Sequence, residues 1–128
     1  PKNEHINFIQ KLADRTDIRY FLIKQNTKVI GSINFTQINL YNSVEFGIYT
    51  NPFEDNKNAG KILESVASNY AFNELGVKKI LLKVLNDNKR AINFYKKSGF
   101  RFINNKKDIE KDFSCMEKLN TNKTIKFG

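Results

Sequence analysis

The chain has 128 residues, 40% of them apolar and 27% charged, which is room for one compact core and too little for two domains. An aromatic content of 12% excludes a disordered chain, and no apolar run nears the roughly 20 residues of a membrane-spanning helix or resembles a secretory leader. Twenty-two Lys and Arg against 13 Asp and Glu leave a formal charge of +9, a field that attracts nucleic acid, an anionic membrane surface or a multiply phosphorylated small molecule.

The basic residues are scattered, so no charged tail is expected. Cys115 is the single cysteine: it excludes an internal disulfide, agrees with a reducing, cytoplasmic setting, and is expected to be a small buried residue. His5 and Cys115 stand apart in the chain, with no carboxylate cluster to join them, so no metal site is expected. The chain opens at Pro1 and runs straight into a helical pattern, so the start of a longer protein is expected to be missing, an early strand and helix with it.

In chain order, Ile6, Phe8, Ile9 and Leu12 recur at helical spacing and predict a helix over residues 3–13, with His5 at its surface. Residues 20–24 and 29–38 are β-branched and aromatic runs around the polar tetrad 25–28, a hairpin pattern. A third strand is expected over residues 44–50. A polar loop over residues 51–58 leads through Ala59 and Gly60 into a helix at 61–75, where Ile62, Leu63, Val66, Ala67, Tyr70 and Ala71 form one stripe. Gly76 is the expected left-handed cap, and residues 79–85 read as a largely buried strand, so the strand–loop–helix–strand order implies a parallel crossover. Asn88 is placed to cap a second helix over residues 89–98. Two strands follow at 100–103 and 113–119, joined by a charged loop. One domain is expected over residues 1–119, with a loose tail at 120–128.

Two segments carry chemistry. The helix start at Ala59, Gly60 and Lys61 presents free N–H groups and a positive dipole end, with Lys57 and Lys61 adding charge, which suits a phosphate and equally suits an ordinary loop. Asn88 and Tyr95 lie seven residues apart, two helical turns, so both can line one cleft; separately they read as a cap and a core residue.

Taken together, E-F-G-I-Y-T-N-P from Glu45, the loop ending Asn58-Ala59-Gly60, and N-x-x-A-I-x-F-Y-x-x-x-G-F from Asn88 resemble the GNAT family of acetyl-CoA-dependent N-acetyltransferases. Within it the chain is similar to the pseudaminic acid pathway enzymes of flagellated bacteria, which acetylate a UDP-linked 4-amino-4,6-dideoxy sugar. The resemblance implies an α+β fold: a mixed, mostly antiparallel sheet around a coenzyme-binding crossover. It implies that the loop amides around Lys57, Asn58, Ala59, Gly60 and Lys61 hold the pyrophosphate of acetyl-CoA. The family's usual Arg or Gln and first Gly of that loop are here Asp55 and Asn58, so one positive contact is missing.

Direct transfer to an amine, as the resemblance implies, sets three tasks. An alkylammonium with a pKa of about 10 must lose a proton, for which Glu45 is the candidate base. The thioester oxygen needs donors, assigned to the backbone of Ile48 and Tyr49. The leaving thiolate needs a proton, assigned to Tyr95 as general acid. By the resemblance, Asn88 is expected on the pantetheine arm, and Lys89 or Arg90 near the phosphates. Acetyl-CoA and a UDP-amino-sugar are then the partners of a monomer or homodimer, with neither nucleic acid nor membrane. Acetylation of a protein N-terminus and a basic nucleic-acid-binding domain stay open. Polyamines, being cations, are disfavoured by the positive field.

Overall fold

The computed structural model describes residues 6–11, 17–103 and 112–121. Seven strands form one sheet in the order β1-β2-β3-β4-β5-β7-β6: β1 (Ile6–Lys11), β2 (Arg19–Gln25), β3 (Lys28–Asn39), β4 (Ser43–Thr50), β5 (Lys79–Leu85), β6 (Arg101–Phe102) and β7 (Phe113–Leu119). Every neighbouring pair is antiparallel except β4 with β5. The expected crossover is therefore present, made by α1 (Ala59–Asn69) and the π-helical turn Tyr70–Glu74 that continues it. A second helix, α2 (Lys89–Lys97), follows β5.

The first element differs from expectation. Residues 6–11 are a strand paired antiparallel with β2, not part of a helix. Ile and Phe suit a pleated strand as well as a helical stripe, and over so short a run the free edge of β2 decides between the two periodicities. His5, residues 104–111 of the charged loop and residues 122–128 of the tail lie outside the described residues. Asn120, at the start of the expected tail, is tied down, its N–H bonding the Lys78 carbonyl at 2.8 Å.

Both helices cover the same face of the sheet. Tyr70 packs against Phe21 and Phe35 with ring centroids 5.0 and 5.1 Å away, and Tyr95 packs against Phe46 and Phe100. Phe35 and Phe46 are register partners, and strand alternation puts Ile33, Val44, Ile80, Leu82 and Met116 on that face too, where all are buried. Leu63, Ala67 and Ala71 close the core from the helical side. The strand at 79–85 is consequently buried on one face only: Ile80, Leu82 and Val84 are inside, while Lys83 and Leu85 are exposed. Cys115 alternates with buried Met116 and is half-buried on the opposite face, more open than expected. Gly76 takes the left-handed conformation with φ 65°, as a helix terminator should.

Candidate active site

Only three register pairs join β4 to β5: Ser43 with Lys79, Val44 with Ile80 and Glu45 with Leu81. Beyond them the strands part. Alternate backbone groups of residues 46–50 that would have met β5 face a gap of about 350 Å³ instead. Asn34, Thr36, Glu45, Gly47 and Tyr49 line one side of that gap, Leu82 and Lys83 the other, and Tyr95 reaches in from α2. Strand alternation sets Glu45, Gly47 and Tyr49 on the face away from the helices, whereas Phe46 and Ile48 face α1 and α2. Glu45 and Tyr95 therefore approach the opening from opposite faces of the sheet.

On the helix side the gap runs into a groove of about 700 Å³ between the β4–α1 loop and α2. The loop is organised by its asparagines. Asn51 donates to the Val29 carbonyl at 2.8 Å and accepts from the Phe53 N–H at 3.0 Å, while the Asn56 side chain donates to Gln25 at 2.8 Å and accepts from the Asn58 N–H at 3.0 Å. The Ala59 N–H bonds the Asn56 carbonyl at 3.1 Å. These bonds occupy the amides of Asn58 and Ala59. Asn58 caps α1 with no side-chain hydrogen bond, and the N–H groups of Gly60 and Lys61 meet no acceptor among the described residues. They keep the positive end of the helix dipole open to the groove.

Lys57, Lys61 and Arg90 line the same groove. Glu54 is its carboxylate and is met by Lys28 at 3.8 Å. Asp55, at the position where the family has Arg or Gln, is exposed and does not line it. A side chain at Gly60 would touch only the Phe94 ring, at 3.8 Å, which is ordinary contact. Packing within the chain does not demand glycine there; its effect is to leave the groove floor clear.

The second helix completes the walls. Asn88 caps α2, its Oδ1 accepting the Ala91 N–H at 3.1 Å, and with Tyr95 it lines the groove, as their two-turn spacing predicts. Tyr95 lies where groove and gap meet and lines both. Burial, then the Tyr49 phenol, then the Glu64 carboxylate push its hydroxyl above the ordinary value of 10. The phenol is thus protonated throughout the neutral range.

Of the residues singled out in the sequence, Ile48, Lys57, Asn58, Ala59, Gly60, Lys61, Asn88, Arg90 and Tyr95 share the groove, while Glu45 and Tyr49 line the gap. Asn56 and Phe94 were not singled out. The density of Asn in the loop is the signal for the first, since Asn side chains bond backbone amides a residue or two away; the second is marked only as the F of the N-x-x-A-I-x-F-Y motif.

Residues 1–100 match the model of the acetyltransferase (GNAT) family. The chain belongs to that family. It is 35% identical over 106 residues to the acetyltransferase PseH of Campylobacter jejuni, covering 83% of this chain and 66% of the relative. It thus spans just under two thirds of the length of that protein. The crystal structure of the Campylobacter N-acetyltransferase PseH in complex with acetyl coenzyme A superposes with a TM-score of 0.74 and 31% identity, covering 84% of this chain and 71% of the other. The spermidine N(1)-acetyltransferase of Vibrio cholerae is 29% identical over 99 residues, 77% of this chain and 54% of the relative.

Proposed function

We propose that the chain carries the active site of an acetyl-CoA-dependent N-acetyltransferase whose acceptor is the 4-amino group of a UDP-linked 4-amino-4,6-dideoxy sugar, as in pseudaminic acid biosynthesis. One observation carries the transferase reading: the parted strands open directly beside an uncapped helix N-terminus, and Tyr95 lines both spaces. The groove fits the coenzyme. Gly60 and Lys61 offer amides, and Lys57, Lys61 and Arg90 offer charge to its phosphates. Asn88, whose Oδ1 is engaged in the cap, keeps its amide N–H for the pantetheine arm.

Acetyl-CoA supplies the activated acyl group. From the other face of the sheet, Glu45 accepts the proton that the acceptor ammonium must lose before its nitrogen can attack. The gap-facing amide of Ile48 holds the oxygen that gains charge, while the Tyr49 backbone, expected beside it, turns towards Ser32 of β3 by strand alternation. Tyr95 gives its proton to the departing sulfur, and its raised pKa keeps that proton available at neutral pH.

The choice of acceptor rests on similarity to PseH and on charge. Among the described residues the gap pairs a single carboxylate, Glu45, with Lys83, and the adjoining groove sets three cations against one carboxylate, Glu54, which Lys28 meets. That balance favours a diphosphate-bearing sugar over a polyamine, despite the likeness to the Vibrio enzyme. The test is free-thiol release from acetyl-CoA with the UDP-amino-sugar, run beside a basic N-terminal peptide and spermidine. Release with the sugar is expected. Release with the peptide or spermidine alone keeps the transferase and overturns the sugar assignment.

A further inference from the structure

In the steps above the Tyr49 side chain enters only through its effect on the Tyr95 hydroxyl, and no contact with the acceptor is assigned to it. The residue is 57% exposed, although it sits on the central strand at the mouth of the gap. The cause lies two residues back. A Cβ built on Gly47 would fall 2.7 Å from the Tyr49 hydroxyl and 3.1 and 3.2 Å from the adjoining ring carbons. The phenol therefore lies flat along β4, covering the backbone that a side chain at position 47 would otherwise occupy. It is directed towards Glu45, the next residue on that face.

Around this ring the wall of the gap is polar. Ser32, Asn34 and Thr36 stand opposite Tyr49, Gly47 and Glu45 in the β3–β4 register, and Lys83 lies across the opening. An acceptor entering from this face must pass over the ring to bring its amine between Glu45 and Tyr95. A flat, exposed aromatic bordered by hydrogen-bonding side chains suits a ligand with one apolar face and polar substituents at its rim. A 6-deoxyhexose has that character, since its methyl group and axial C–H bonds make one side apolar.

Building on the sugar reading above, we propose that Tyr49 is the acceptor-selecting residue: its ring, laid down over Gly47, is the platform for the sugar, and the absent side chain at Gly47 is what lets it lie there. Coenzyme binding lies on the other face and does not use this ring.

Gly47→Ala gives a test that leaves the phenol in the protein. The added methyl meets the far end of a flexible side chain, so the ring swings away at little cost to folding. With the UDP-4-amino-4,6-dideoxy sugar, Gly47→Ala and Tyr49→Ala are each expected to raise the acceptor KM about tenfold, the upper range for an aromatic contact. Tyr49→Phe, which keeps the ring, is expected to raise it by no more than about threefold. The Kd for acetyl-CoA, read by calorimetry, should stay within about twofold in all three. In saturation-transfer NMR on the protein without coenzyme, the sugar methyl should receive saturation in the wild type and lose it in Tyr49→Ala. An unchanged acceptor KM in both alanine variants, or a parallel loss of acetyl-CoA affinity, would overturn the platform while leaving the sugar reading intact. A wild-type protein that neither binds nor acetylates the sugar overturns the sugar reading itself and the platform with it.

Discussion

Tyr95 is where the chemistry is most exposed to test. Its hydroxyl is the polar end of a ring packed against Phe46, Phe94 and Phe100, so replacing it with phenylalanine removes an oxygen and leaves the packing. Tyr95→Phe should lower kcat at least ~10-fold while the Kd for acetyl-CoA stays unchanged, the signature of one lost acid group. A general acid works while protonated. Burial and the neighbouring Tyr49 and Glu64 raise this one, so the alkaline fall of kcat that it governs should lie above pH 10. Tyr95→Phe should lack that limb, and a fall well below pH 10 in the wild type would assign it to another group. The pairing of Asn88 with Tyr95 is legible in the sequence because two helical turns fix both on one side of α2. The placement of Glu45 and Tyr95 on opposite faces is not legible, because it depends on where β4 and β5 cease to pair. Nor is the occupation of the Asn58 and Ala59 amides, the first of which turns on the side-chain rotamer of Asn56 and the second on the loop's backbone course.

The helix that supplies the groove amides is held to the sheet by a buried polar contact. Lys118 of β7 bonds Glu64 of α1 at 2.7 Å and Ser68 at 3.0 Å, and Ser68 donates to the same carboxylate at 2.7 Å. The two charged side chains are 21% and 8% exposed, so neither is easily solvated alone. Lys118→Met should destabilise the fold by about 3 kcal/mol in urea unfolding, because it leaves the Glu64 carboxylate buried without its cation. Adding Glu64→Leu to that variant should recover most of the loss, since an apolar pair of similar volume needs no desolvation. If the double variant is no better than the single, the pair is contributing more than mutual compensation. The sequence gives no hint of this contact: Glu64 stands at a position that reads as the edge of an apolar stripe, and its partner is 54 residues away. The strands from β2 to β4 and the parallel crossover are legible because their periodicities are long and unambiguous. The π-helical turn is hidden inside the helical pattern of residues 61–75: the Leu75 N–H reaches back to the Tyr70 carbonyl, and one extra residue leaves the stripe almost unchanged.

For the molecule as a whole, the charge of +9 shows that an anion is favoured but not where it binds. Folding turns that excess into a local property by gathering Lys57, Lys61 and Arg90 around amides that have no other acceptor among the described residues. Acetyl-CoA at 100 times its Kd should stabilise the folded chain by about 2.7 kcal/mol, a rise in Tm of roughly 10 °C for a domain of this size. If the phosphates are held by this cluster, Lys57→Ala with Lys61→Ala should weaken binding about tenfold and cut the rise to about half at the same coenzyme concentration. Raising the salt from 0.1 M to 1 M shortens the screening length from about 10 Å to about 3 Å. It should therefore shrink the rise in the wild type more than in the double variant, whose phosphate contacts are mostly backbone amides. Equal salt sensitivity in the two proteins would move the phosphate site away from α1, and the lysines would then serve only the general field. Thermal unfolding of both proteins with and without acetyl-CoA at the two salt concentrations separates these outcomes without requiring turnover, so it tests the coenzyme groove independently of the acceptor.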